Sequence, residues 1–333
     1  MSAAQGRAPS GEQISLELGP HRATVVEVGG GPRAYALGGW DVLDGYGVSE
    51  RCSGARGQPL IPWPNRLRDG RYRWKGSELQ LDLSEPALQN AIHGLVRWRN
   101  WEVRARESAR VVLGHVLHGE PGYPFMLAVE IEYVLSAQGL AVTTSAVNIG
   151  AELCPYGAGM HPYFSLGAET IDEAILTVPA ATRLLADERG IPVGEEPVDD
   201  GSLDFRAPRA IGATQIDTCF TGFERDEDGK LRVRLQAPDG SREVTVWASP
   251  EYEYLMVFTG DTLAEERRRR GVAIEPMTCA PDAFRSGAGL VRLEPGERHV
   301  ASWGIVAVEL ADADKSASAN SIAGSASAEP ADR

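Results

Sequence analysis

The feature that most constrains what this chain can fold into is the two-residue period of its apolar positions. In ATVVEV (23–28), RYRWKGSELQL (71–81), RVRLQA (232–237) and EVTVWAS (243–249), apolar and polar residues take turns. Successive side chains of a strand point to opposite faces, so each run predicts a strand with one face buried and the other toward water. Gly29 to Pro32, Lys75-Gly76, Ala137 to Gly139, Pro238 to Ser241 and Pro295-Gly296 fall between such stretches, where hairpin connections belong. Amphipathic helical patterns are scarce and strands do not alternate with helices, which disfavours Rossmann and TIM-barrel architectures. No repeat of fixed period points to a propeller. The expected fold is all-β, a large antiparallel β-sandwich or barrel.

With 43% apolar and 24% charged residues, the 333-residue chain has the composition of a globular protein able to bury a sizeable core. Its length admits two domains of about 150 residues, but sandwiches often reach about 250 residues as one unit. We expect one domain over residues 13–311, flanked by an unstructured start (1–12) and an unstructured Ala/Ser-rich tail (312–333). The formal net charge of -14 is spread along the chain and argues against nucleic acid or an anionic membrane as partner. A neutral or cationic small molecule fits better. No run of 18 apolar residues occurs, and MSAAQGRAPSGEQ lacks the marks of a signal peptide. A cytoplasmic protein, monomeric or weakly dimeric, is the expectation.

Cys52, Cys154, Cys219 and Cys279 are far apart, with no zinc spacing, and read as reduced structural residues. The run EERRRR (265–270) reads as a solvated loop in this acidic background. Gly29-Gly30-Gly31-Pro32 reads as a turn rather than a phosphate loop, because no helix pattern follows it.

Among the histidines, His115 and His118 stand three apart in a strand-like run, so their side chains would face opposite ways and share no metal. His21 and His299 sit beside turns and read as surface residues. His93 and His161 differ. Each lies in a polar, aromatic, Gly- or Pro-containing stretch, NAIHGLVRW and GAGMHPYFSLG, of the kind found where a strand end enters a loop. Functional residues concentrate at such places.

Six segments then line up in order: VVEVGGGPRAYALGGWDVLDGY, PWPNRLRDGRYRWKGSELQL, NAIHGLVRWRNW, GMHPYFSL, IDTCFTG and IEPMTCAPDAF. Over residues 23–310 this series resembles the aldose 1-epimerase family, also called galactose mutarotases. NAIHGLVRW and IEPMTCAPDAF resemble a bacterial branch of it. The resemblance implies a galactose mutarotase-like supersandwich and a sugar substrate interconverted between its α and β anomers.

The same resemblance carries roles to matching positions. Glu275 would remove the C1 hydroxyl proton and His161 would protonate the ring oxygen. His93, Arg66 and Asp217 would bind sugar oxygens. Opening and closing a hemiacetal needs one base and one acid, with no cofactor, metal or covalent nucleophile required. Glu275 follows the apolar run Gly271-Val272-Ala273-Ile274, which could bury it and raise its pKa. Trp63, Tyr163, Phe164, Trp247 and Phe258 are candidates to stack on a pyranose, although strands also need aromatics for their core. Asp282, after Pro281, is expected to hold a turn. Two other activities remain open: a hexose-6-phosphate 1-epimerase, with Arg68, Arg71 and Arg97 as candidate phosphate ligands, and a non-catalytic carbohydrate-binding or sugar-sensing protein.

Overall fold

Antiparallel strands dominate the computed structural model, which describes residues 7–199 and 201–310. A nine-stranded sheet runs in the order Glu102–Arg106, Arg110–Leu117, Leu127–Ser136, Gly139–Asn148, Arg298–Glu309, Arg242–Ala248, Leu231–Gln236, Ile175–Thr177 and Arg209–Ala210. Its long middle strands alternate as the sequence pattern requires. From Leu127 to Leu135, the odd-numbered residues are buried and those between them are half-buried or exposed.

An eight-stranded sheet supplies the second large layer, in the order Pro192–Pro197, Ala180–Ala186, Asp217–Phe223, Tyr254–Phe258, Val272–Met277, Gly159–Met160 and Pro59–Leu60, with Tyr163–Phe164 also paired to Val272–Met277. A four-stranded sheet over residues 13–41 packs against the nine-stranded layer. One buried apolar cluster is continuous through all three, from Tyr35 to Tyr133 and Trp303 and on to Val257 and Ile274. Among the described residues, the only α-helix is the single turn Ala283–Ser286.

Each of the four alternating runs carries a strand, with ends shifted by a residue or two. Residues 71–81 make the hairpin Arg71–Trp74 and Ser77–Gln80. Lys75 and Gly76 at its tip both have positive φ, the type I′ geometry whose twist suits a two-residue hairpin.

Three expectations need correction. Residues 312–333 lie outside the described residues, as do 1–6, but residues 7–12 are bound into the fold. Ser10 is 4% exposed, its carbonyl accepts the Val28 amide at 3.0 Å, and the Glu12 amide donates to the Glu27 carboxylate at 2.9 Å. The EERRRR run is only partly solvated: Arg267 pairs with Asp44 and Glu50, and Arg269 with Asp172 and Asp261, so these two arginines staple the loop to the body. His21 is buried, with Nδ1 2.9 Å from the Tyr35 hydroxyl, and His299 is half-buried against Tyr156. Both histidines lie on strands, whose pleat turns them inward.

Candidate active site

Three neighbouring strands of the eight-stranded sheet floor a cavity of about 340 Å³. In the strand Val272–Met277, Val272 and Ile274 enter the core, so the alternation sends Glu275 to the other face. The ladder pairs Glu275 with Met256 and Asp217 with Phe258. All four residues line the cavity. His161, between the short strands Gly159–Met160 and Tyr163–Phe164, completes the floor.

The opposite wall comes from a small ribbon in which Arg66–Arg68 pairs with Asn90–Ile92, placing Arg66 across from Ile92 and next to His93. Asn65 and His93 have φ of 56° and 63° and brace one another. The His93 amide donates to the Asn65 carbonyl at 2.9 Å, and the Asn65 amide donates to His93 Nδ1 at 3.2 Å. An Nδ1 that accepts a backbone N–H belongs to a neutral imidazole with its proton on Nε2. Burial, with His161, Arg97 and Arg66 nearby, pushes the His93 pKa well down and agrees with that tautomer. Asp282 holds the same ribbon from beneath, its carboxylate accepting the Arg68 amide at 3.0 Å while its own amide donates to the Arg66 carbonyl at 2.7 Å.

Glu275 is 1% exposed. Its Oε1 lies 3.2 Å from His161 Nε2, and its Oε2 is buried without a hydrogen-bond partner. Burial, followed by the charge of Asp217, raises the Glu275 pKa well above that of an ordinary carboxylate, with Arg66 opposing. Burial, then Arg97, lowers that of His161. Both shifts disfavour charge, which favours a single proton on the pair without charge separation.

Arg66 grips Glu85 in a fork, Nε to Oε2 at 2.9 Å and Nη2 to Oε1 at 3.1 Å, and Asn90 Nδ2 also donates to Glu85 at 2.9 Å. Arg97 differs. Its Nη2 donates to the Ile92 carbonyl at 3.2 Å, its buried Nε has no partner, and no carboxylate pairs with it among the described residues. Burial accordingly lowers its pKa.

The structure therefore brings Glu275, His161, His93, Arg66 and Asp217 onto one cavity, together with Tyr163 and Phe258. Three sugar-stacking candidates fall elsewhere. Trp63 is buried, 5.5 Å from the Phe284 ring, and is absent from the lining. Trp247 sits on the strand Arg242–Ala248 of the other large sheet, under the Lys230 ammonium at 5.0 Å. Phe164 is wholly buried in the core. Tyr163 borders the cavity, yet His161 stacks on its ring at 5.0 Å and the Arg56 guanidinium covers it at 4.4 Å. At 2% exposure the ring has no open face for a pyranose. Sequence reasoning missed Glu85, Met256 and the bracing role of Asn65. Asn65 stands inside the Pro-Asn-Arg segment, a usable signal, whereas nothing local marks Glu85.

With this arrangement in view, the class is a β-sandwich with a buried carboxylate–imidazole pair recessed in a polar cleft. The chain belongs to the aldose 1-epimerase family, whose model matches residues 13–305. It is 35% identical over 291 residues, 87% of this chain and 91% of the relative, to the uncharacterized protein YihR of Escherichia coli. Among solved structures it resembles a putative aldose 1-epimerase from Escherichia coli (TM-score 0.78, 23% identity, 90% of this chain and 99% of the other). It also resembles a galactose 1-epimerase from Lactobacillus acidophilus (TM-score 0.76, 21% identity, 89% and 94%). At those identities the two structures speak for the fold.

Proposed function

We propose that the protein is a mutarotase, interconverting the α and β anomers of a free aldohexose by ring opening and closure. One observation carries this reading: a buried carboxylate, Glu275, with one oxygen on His161 Nε2 and the other unpartnered in a polar cavity. A binding protein gains nothing from a buried, unsatisfied carboxylate, which costs about 1–3 kcal/mol or more.

The proton count fits the reaction. Mutarotation needs a carboxylate and an imidazolium, which hold one proton between them, the same number as the uncharged pair. An entering sugar exchanges the Glu275–His161 contact for contacts of its own. Glu275 takes the proton of the C1 hydroxyl, His161 delivers its proton to the ring oxygen, and the C1–O5 bond breaks to give the aldehyde. Rotation about C1–C2 presents the other face, and the transfers run backward to close the ring. His93 donates from Nε2 to an oxygen near C1, Arg66 supplies fixed donors held in place by Glu85, and Asp217 accepts from hydroxyls. Phe258 and Met256 supply apolar surface for the ring's C–H bonds.

Polarimetry of freshly dissolved α-D-glucose and α-D-galactose tests the proposal. The protein should speed equilibration, and Glu275→Gln should cut kcat by about 10²- to 10⁴-fold. No acceleration with any common aldose would sink the enzyme reading, and an undiminished rate in the variant would remove Glu275 as the base.

Arg97 favours a second reading, a hexose 6-phosphate substrate. A guanidinium facing the cavity without a carboxylate is half of a charge-assisted pair. Running the assay on glucose 6-phosphate beside glucose separates the two. A kcat/KM higher for the phosphate, and lost in Arg97→Met, would select the second.

A further inference from the structure

A catalytic imidazole is usually aimed by a hydrogen bond from its second nitrogen to a carboxylate or carbonyl. His161 has no such anchor. Its Nδ1 is buried and makes no hydrogen bond to any other residue, its only polar contact being with its own backbone. The ring is instead enclosed by other rings, Tyr163 stacked on it at 5.0 Å with 15° between planes and His93 meeting it edge-on at 5.3 Å and 79°.

Tyr163 is in turn fixed from three sides. Its hydroxyl donates to the Gly54 carbonyl at 3.0 Å, Phe258 packs edge-on at 6.4 Å, and the Arg56 guanidinium lies 4.4 Å from the ring centre. Arg56 is 3% exposed, gripped by Asp44 through Nε at 3.3 Å and Nη2 at 3.2 Å, and donates to the Ser53 carbonyl at 3.1 Å. The Asp44 amide closes the circuit by donating to the Tyr163 carbonyl at 2.9 Å.

Building on the mutarotase reading, we infer that Tyr163 and Arg56 are positioning residues that hold the His161 imidazole by stacking, in place of the hydrogen bond its Nδ1 lacks. Tyr163 sets the plane of the ring and so the direction of Nε2. Arg56, with its charge balanced by Asp44, locks the tyrosine and places a cation at the far end of the stack. The groups facing His161 are Glu275 from the strand Val272–Met277, His93 and Arg97 from the ribbon side, and Arg56 beyond Tyr163. Arg97 and Arg56 both work against protonation of the imidazole. That makes the protonated form a stronger acid toward the ring oxygen.

The test uses the full chain, with mutarotation followed by polarimetry and the His161 nitrogens followed by ¹⁵N NMR across pH. Tyr163→Leu should lower kcat about 10- to 100-fold with KM within about twofold, because the acid is misaimed rather than the sugar lost. Tyr163→Phe keeps the stacked ring and should restore most of that kcat. Arg56→Gln should move the His161 titration upward, while Arg56→Lys, keeping the charge, should hold it near the wild-type position. A Tyr163→Leu variant with raised KM and wild-type kcat would make Tyr163 a sugar platform and overturn the inference, as would an unmoved His161 titration in Arg56→Gln. If Arg56→Gln does not fold because Asp44 is left buried with only the longer Arg267 contact, at 3.5 Å, to balance it, the Tyr163 pair of variants decides. If the wild-type protein accelerates no aldose, the mutarotase reading fails by itself, and the NMR arm still reports whether the stack governs His161.

Discussion

On the mutarotase reading, Glu275 and His161 share one proton, and the directions of their shifts set the shape of the pH profile. A second proton on the pair removes the base, and loss of the only proton removes the acid. Because burial holds His161 low and Glu275 high, these limbs move apart. We expect kcat to stay flat through about pH 6.5, where an ordinary solvated histidine would titrate and bend the rate. A break near that pH in the polarimetric rate would contradict the one-proton pair. The same burial has a stability consequence. A carboxyl whose folded pKa lies above its unfolded one contributes stability below the unfolded value and loses it as pH rises through the folded value. Glu275→Gln removes that loss. Its melting temperature should match wild type near pH 4 and exceed it by roughly 2 °C or more at pH 8, read by calorimetry across pH.

At the scale of elements, the site depends on short ribbons more than on long strands. His93 takes its place because Gly94 follows it in a left-handed conformation, φ 67°, with its Cα pressed to the Ile61 backbone. A Cβ there would stand 2.0 Å from the Ile61 carbonyl oxygen, so an alanine cannot fit unless the backbone moves. Gly94→Ala should cost roughly 1–3 kcal/mol of stability by denaturant unfolding and raise KM, because His93 and Arg66 share the displaced ribbon. Asp282 fastens that ribbon from the other side, and a turn role for it was legible from Pro281-Asp282. That the turn would brace the strand bearing Arg66, more than two hundred positions earlier in the chain, was not. Trp247 shows the converse. Its strand follows from the alternation, but alternation cannot say which sheet a strand joins, and this one lies in the sheet away from the cavity.

For the whole molecule, we propose one folding unit over residues 13–311, a reading suggested by the apolar cluster that runs through the three sheets of the described residues. Calorimetry should then show a single transition whose van't Hoff and calorimetric enthalpies agree. Trp303, fully buried on the strand Arg298–Glu309, is the place to probe it. Trp303→Ala should lose about 3–5 kcal/mol, and mutarotase activity should disappear at the same temperature as the fold. Two separated transitions would divide the chain into independent parts.

The sequence by itself determined the strands, most of their turns and, through six ordered motifs, the family and five residues that line one cavity, because side-chain period and turn chemistry are local and motif order is linear. Tertiary structure decided what faces what. Glu85 meets Arg66, Arg56 meets Tyr163, residues 7–12 hydrogen-bond to Glu27 and Val28, and Trp63 and Trp247 leave the cavity. These are contacts between segments far apart in the chain, and a two-residue period fixes only the face of a strand, never its neighbour. The lone oxygen of Glu275 belongs to this second kind of knowledge. An apolar run announces that the carboxylate is buried, and only the packed sheets show that one of its oxygens is left unpaired, open to a hydroxyl proton.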